Sequence, residues 1–180
     1  MLQISIPEME FFNERTEEFV TIKAQTLQLE HSLISISKWE AKWCKPFLGK
    51  EEKTGEEMLD YIRCMTITQN VEPAVYLAIP RAEVERIKAY INAPMTATWF
   101  SDRNGENKKP TSKVITSEII YYWMIAQNIP LECEKWHLNR LFTLLRVCSE
   151  KNAPPKKMSR KQAAAQQRSL NAQRHAARRR

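Results

Sequence analysis

The sequence predicts a predominantly helical α+β fold with a small N-terminal β-region, a helical body and a basic C-terminal arm that is helical or disordered. Apolar residues alternate with polar ones near period two in residues 1–30. Beyond residue 31 the apolar spacing becomes three to four, which is the period of an α-helix. Residues 156–180 hold nine basic residues and no acid. We therefore divide the chain into a β-region (1–30), a helical body (31–155) and an arm (156–180).

The β-region is expected to contain two or three strands. Leu2, Ile4 and Ile6 alternate with polar residues, and the stretches around Phe19–Ile22 and Leu27–Leu29 follow a similar pattern. An isolated hairpin is marginally stable in water. We therefore expect this element to pack on the body or to pair with another chain.

The body is expected to form a series of helices separated by prolines. Thr54 and Thr116 precede two of the apolar stretches and are candidate N-caps. The expected helices are His31–Leu48, Gly55–Met65, a segment from Pro80 to Pro94, Ser117–Asn128 and Glu132–Cys148. Residues around Pro73 and residues 101–113 are expected to be loops.

The helix after Thr116 is predicted to be the central core helix. Its run from Ile119 to Ile125 is hydrophobic nearly all round, which is typical of a buried helix. Glu132–Cys148 carries several leucines and is its expected antiparallel partner.

The positive charge of the chain is concentrated in the arm. The whole sequence has 28 basic and 21 acidic residues, and removing the nine basic residues of the arm leaves 19 basic and 21 acidic residues in 1–155. Residues 1–155 together therefore have a net charge of −2, and the arm is a separate basic module.

A cytoplasmic, non-membrane protein is expected. No stretch approaches the roughly 20 apolar residues of a membrane span, and the N-terminal residues lack the basic start and apolar run of a signal peptide. The four cysteines are far apart in the sequence, and no two of them have the close spacing of a paired motif. They are expected to be reduced thiols packed as small hydrophobic side chains.

We find no convincing metal, cofactor or catalytic site in the sequence. Cys133 and His137 have helical spacing, but zinc needs at least three protein ligands, and His31 and His175 are remote in sequence. No segment resembles an activated nucleophile. We therefore predict no enzyme activity, no metal, no cofactor and no catalytic residues.

The tryptophans offer two interpretations. The first is that all five simply form the core. The second is that Trp39 and Trp43, beside several lysines, form an aromatic anchor for another protein. Stacking on single-stranded nucleic acid is a further use of such a pair, but the neighbouring acids Glu40, Glu51 and Glu52 argue against it.

The arm leaves three possibilities open. It is a solvated tail, a phosphate-binding segment that contacts nucleic acid without sequence preference, or a segment that folds on an acidic protein surface. Its candidate partner-binding residues are Lys156, Lys157, Arg160, Lys161, Arg168, Arg174, Arg178, Arg179 and Arg180.

Several segments of the body resemble the tail assembly chaperones of long-tailed bacteriophages. The resemblance lies in residues 35–48 (SISKWEAKWCKPFL), 61–66 (YIRCMT), 90–98 (YINAPMTAT), 115–124 (ITSEIIYYWM) and 135–141 (KWHLNRL), and in 154–159 (PPKKMS).

The resemblance implies a non-enzymatic protein of phage morphogenesis. Proteins of this group bind the tape-measure protein or other tail precursors and keep them soluble until the tail tube assembles. It therefore implies action in the cytoplasm of the infected bacterial host, with homo-oligomerisation as an option. The alternative is a structural virion protein of the tail or head–tail junction, whose arm contacts DNA or a neighbouring subunit.

Overall fold

The computed structural model describes residues 1–13, 18–100, 114–152, 164–165, 167–171 and 174. It confirms a predominantly helical α+β fold with a small β-region at the N-terminus. The chain forms two compact units, Met1–Cys148 and Ser149–Arg180. Predicted features in residues 101–113 and in most of the arm lie outside the described residues.

The β-region consists of two antiparallel pairs rather than two or three strands. Strand β1 (Leu2–Ile6) pairs with β4 (Gln25–Leu29), and β2 (Met9–Asn13) pairs with β3 (Glu18–Ile22). The alternation predicted from the sequence is present, since Ile4, Ile6, Leu27 and Leu29 are all buried on one face of the first pair.

Strand β4 also connects the β-region to the helices. The backbone N–H of Glu30 donates to the carbonyl of Met65 at 2.9 Å, and that of Ile67 donates to Gln28 at 2.8 Å. On the other side, the N–H of Leu138 donates to the carbonyl of His31 at 2.7 Å. These bonds hold the end of β4 within the hydrophobic core.

The first two helices are defined by capping boxes. Helix α1 (Leu33–Trp43) is capped by Ser32, and helix α2 (Gly55–Met65) is capped by Thr54. The predicted bounds of α2 are confirmed. Helix α1 is shorter than predicted, because Cys44 adopts a left-handed conformation (φ 51°) that ends it before Pro46.

The remaining elements differ at their ends from the prediction. The expected loop at Pro73 is a short 3-10 helix, Pro73–Ala78. Helix α3 (Arg81–Asn92) begins after Pro80, and α4 is Ser117–Ala126. The predicted helix from Glu132 divides into a 3-10 helix, Leu131–Lys135, and helix α5 (Leu138–Asn152).

Helix α4 is not the fully buried helix that its composition predicted. Ile120 and Met124 are buried, but Tyr122 and Ile125 are 67% and 66% exposed. The helix packs mainly on α1 rather than on α5, the partner expected from the sequence. Apolar composition on all sides did not distinguish a core helix from one lying at the surface.

Candidate partner-binding site

The two candidate tryptophans lie on one face of α1, as their spacing predicts, but only one of them is accessible. Their rings stack with centroids 6.2 Å apart. Trp39 is 1% exposed, and its indole N–H donates to the backbone carbonyl of Glu57 at 2.8 Å. Trp39 is therefore a core residue that joins α1 to α2, and its proposed role as an exposed anchor is wrong.

Trp43 is half-buried at the edge of the same stack. Its indole N–H donates to the Asp60 carboxylate at 2.9 Å, and Lys42 bonds the other oxygen of that carboxylate. Burial acts to raise the pKa of Asp60, but the bonds from Lys42 and Trp43 outweigh it and hold the pKa below its ordinary value. Asp60 is therefore ionised at neutral pH and fixes the indole in place.

A shallow cavity of about 230 Å³ opens beside Trp43. Its wall combines the apolar Leu59 and Leu77 with the charged Lys42, Asp60 and Arg63. The volume is below the roughly 300–1,000 Å³ typical of small-molecule sites. It suits one large side chain of a protein partner, held by apolar contact and flanked by charges of both signs.

Leu77 extends this surface beyond the cavity. It lies in the 3-10 helix Pro73–Ala78, is 66% exposed, and lines the same cavity as Trp43. Leu77 was not predicted as a binding residue, because its segment was expected to be a loop. The combination of a fixed indole and an exposed leucine makes this the candidate partner-binding site.

The histidines form a buried polar cluster that the sequence did not predict. The rings of His31 and His137 are in contact, with centroids 5.1 Å apart, although His31 is remote from His137 in the sequence. His31 Nδ1 shares a hydrogen bond with the Tyr61 hydroxyl, and His137 Nε2 donates to the carbonyl of Tyr90 at 3.0 Å. Burial, and then the neighbouring His137, lower the pKa of His31 to about 3.

The arrangement of this cluster is that of a structural network. The backbone N–H of Asn139 donates to His137 Nδ1 at 3.3 Å, so both ring nitrogens of His137 are occupied by protein groups. Cys133 takes no part in these bonds. Over the described part of the chain, no group of three metal-ligating side chains is present.

The cysteines are all free thiols, but they differ in exposure. Cys44 is exposed, against the expectation that every thiol is packed inside, whereas Cys133 is buried and Cys64 and Cys148 are intermediate. Burial raises the pKa of Cys133, and burial with the nearby Asp60 carboxylate raises that of Cys64. A raised pKa disfavours the thiolate form, which is the opposite of an activated nucleophile.

The described residues of the arm have helical backbone and are exposed. These include Arg168 and Arg174, and Leu170 with 42% exposure. The other predicted binding residues (Lys156, Lys157, Arg160, Lys161, Arg178, Arg179 and Arg180) lie outside the described residues.

No protein-family model, curated protein or solved structure matches this chain. Within the described residues, no helix has the length and apolar character needed to cross a bilayer.

Proposed function

We propose that this chain is a non-enzymatic tail assembly chaperone of a long-tailed bacteriophage. It binds the tape-measure protein or a tail-tube precursor in the cytoplasm of the infected host. Its client site is the surface formed by Trp43, the adjoining cavity and Leu77.

The observation that carries this proposal is the spatial convergence of the segments that resemble the family. Glu40, in the first segment, accepts the N–H of Ser117, in the fourth, at 2.7 Å. Phe47 lies 4.0 Å, centroid to centroid, from Tyr61 of the second segment. The similar strings thus meet in one core and belong to a single folded unit, as the proposal requires.

A second contact of the same kind joins two further segments. The rings of Tyr90 and His137 lie edge to face with centroids 4.9 Å apart. Five of the six similar segments therefore contribute side chains or backbone to contacts between them. The sixth, 154–159, lies outside the described residues.

The chemistry of the client site fits a helical protein client. Amphipathic helices bind grooves through apolar anchors spaced along one face. The cavity beside Trp43 receives one such anchor, and Leu77 provides a neighbouring contact. Lys42 is 57% exposed, so it is accessible to acidic side chains on the same client helix. A small site of this kind gives moderate affinity, which permits release of the client.

The direct test is co-expression of the full chain with the tape-measure protein of the same phage. We expect the two to co-purify, and we expect Trp43→Ala with Leu77→Ser to reduce the captured client by about tenfold or more, the effect of a binding hot spot. Ile67→Ser is the matched control, because Ile67 is 50% exposed and does not line the cavity.

Mass spectrometry of purified virions separates the proposal from its alternative. A chaperone is absent from finished particles, whereas a structural tail or head–tail protein is present at fixed copy number. Abundant peptides of this chain in virions, together with no capture of the tape-measure protein, would overturn the proposal.

A further inference from the structure

The β2–β3 hairpin has an uncovered aromatic face. Phe12 and Phe19 are directly opposite one another, with ring centroids 5.2 Å apart, and are 50% and 70% exposed. Ile22, on the opposite face of β3, is 2% exposed, although its cross-strand partner Met9 is 40% exposed. The hairpin thus packs on the rest of the domain around Ile22 and presents a phenylalanine pair on its outer face.

The segment that forms the hairpin is acidic. Glu10 is two residues before Phe12, which places it on the outer face, and it is exposed. Residues 8–18 contain five acids and one base, a net charge of −4, while the other residues of 1–155 contain 16 acids and 18 bases. The net negative charge of residues 1–155 therefore resides in this hairpin segment.

The arm is the segment of the sequence whose charge best complements this acidic hairpin. It has nine basic residues and no acid in residues 156–180, and arginine is its commonest base. A guanidinium group stacks on an aromatic face and also pairs with a carboxylate. The outer hairpin face offers both partners side by side, whereas the phosphates of a nucleic acid would be repelled by its acids.

We infer that the outer face of the β2–β3 hairpin binds the basic arm of a second copy of this chain. Arginines of the arm lie over Phe12 and Phe19 and pair with Glu10. The arm has too few apolar residues for a core of its own, so a partner surface stabilises it. Each copy donates one arm and accepts one, so the contact joins two different surfaces and generates a closed ring, of which a reciprocal pair is the smallest, or an open head-to-tail chain.

The test uses two full-length variants with complementary defects. The first, Phe12→Ser with Phe19→Ser, removes the receiving face. The second changes all nine basic residues of the arm to glutamine and removes the positive charge of the donated segment. Self-association of each variant, and of their mixture, is followed by sedimentation velocity with one variant fluorescently labelled.

Wild-type protein should self-associate, with an affinity that falls about tenfold or more as salt rises from about 0.1 M to about 1 M. Each variant alone should be monomeric. The mixture should form a pair limited to two chains, because the first variant still donates an arm and the second still offers a hairpin.

The matched control is Ile67→Ser with Tyr122→Ser, which removes side chains of equal exposure (50% and 67%) elsewhere on the surface. It should associate like the wild type. A monomeric wild type overturns the inference, as does association that survives both sets of substitutions. Loss of association in the single variants without recovery in the mixture also contradicts it. None of these outcomes depends on the tape-measure protein, so the inference and the proposed function fail independently.

Discussion

The Glu40 carboxylate accepts the backbone N–H of Ser117 at 2.7 Å, across 77 residues of sequence. Its other oxygen accepts the N–H of Phe47 at 2.8 Å. Thr116 is the N-cap residue of α4, but its side chain makes no capping bond. The cap predicted for Thr116 is therefore supplied by Glu40 of α1, which is 8% exposed.

Substitution of Glu40 should strongly destabilise the protein. Glu40→Ala leaves two backbone donors without their acceptors, at about 1–3 kcal/mol each, so we expect the free energy of unfolding to fall by about 2–6 kcal/mol. Urea denaturation followed by circular dichroism measures the change. Glu52→Ala, at an exposed position, is the control and should stay within about 0.5 kcal/mol. Equal midpoints for the two variants would contradict the assigned role.

Mild acid should weaken the fold through the histidine pair. His31 has a pKa of about 3 in the folded protein, against about 6.5 in the unfolded chain. The unfolded chain therefore binds more protons below pH 6.5, so stability falls as pH falls. We expect a loss of about 2 kcal/mol between pH 7 and pH 5, measured by urea denaturation at each pH.

The variant His31→Gln tests whether this loss belongs to the histidine. It should be less stable than the wild type at pH 7, because the contact with Tyr61 changes, but its stability should vary less between pH 7 and pH 5. The carboxylates Glu57 and Asp60 have lowered pKa values, so their protonation affects stability only at more acidic pH. An unchanged slope in the variant would refute the assignment.

The two stacked tryptophans should differ in how much they contribute to stability. Trp39→Ala empties a buried site and should cost about 3–5 kcal/mol. Trp43→Phe keeps an aromatic ring at the half-buried position but loses the indole bond to Asp60, at about 1–2 kcal/mol. Thermal unfolding and client capture are measured on both variants. A larger stability loss at Trp43 would show that the burial pattern of α1 is not the one described.

Cysteine labelling should follow exposure. Cys44 is exposed, while Cys133 is buried with a raised pKa. We expect Cys44 to react with a maleimide about tenfold or more faster than Cys133. Mass spectrometry of timed samples identifies the labelled peptides, and denatured protein, in which all four thiols react, gives the reference rate. Equal rates in the folded protein would contradict the packing around Cys133.

The parts of the fold that were predictable depend on local sequence. Thr54 and Glu57 are three residues apart and form a reciprocal cap, so the bounds of α2 followed from a local motif. The alternation of Ile4 and Ile6 marked a strand for the same reason. The Glu40–Ser117 bond and the His31–His137 contact could not be predicted, since both join residues whose proximity exists only after the chain has folded.

The candidate site illustrates the same division. The spacing of Trp39 and Trp43 placed both rings on one face of α1, which the structure confirms. Contacts with α2 determine which ring is covered. Trp39 donates to the backbone carbonyl of Glu57, and Trp43 donates to the carboxylate of Asp60. Leu77 could not be selected at all, because its exposure depends on how a 3-10 helix packs against α2.

Asn139, at the start of α5, donates through its side-chain amide to the carbonyls of Ile91 and Ala93, at 3.1 Å and 2.8 Å. The C-terminal end of α3 is thereby completed by another helix, as the beginning of α4 is completed by Glu40. Each helix end loses these hydrogen bonds when its neighbour departs. Opening of α3 is thus coupled to separation from α5, and opening of α4 to separation from α1, so the amide protons at each of these ends should exchange with solvent together with the contact to the neighbouring helix rather than by independent fraying.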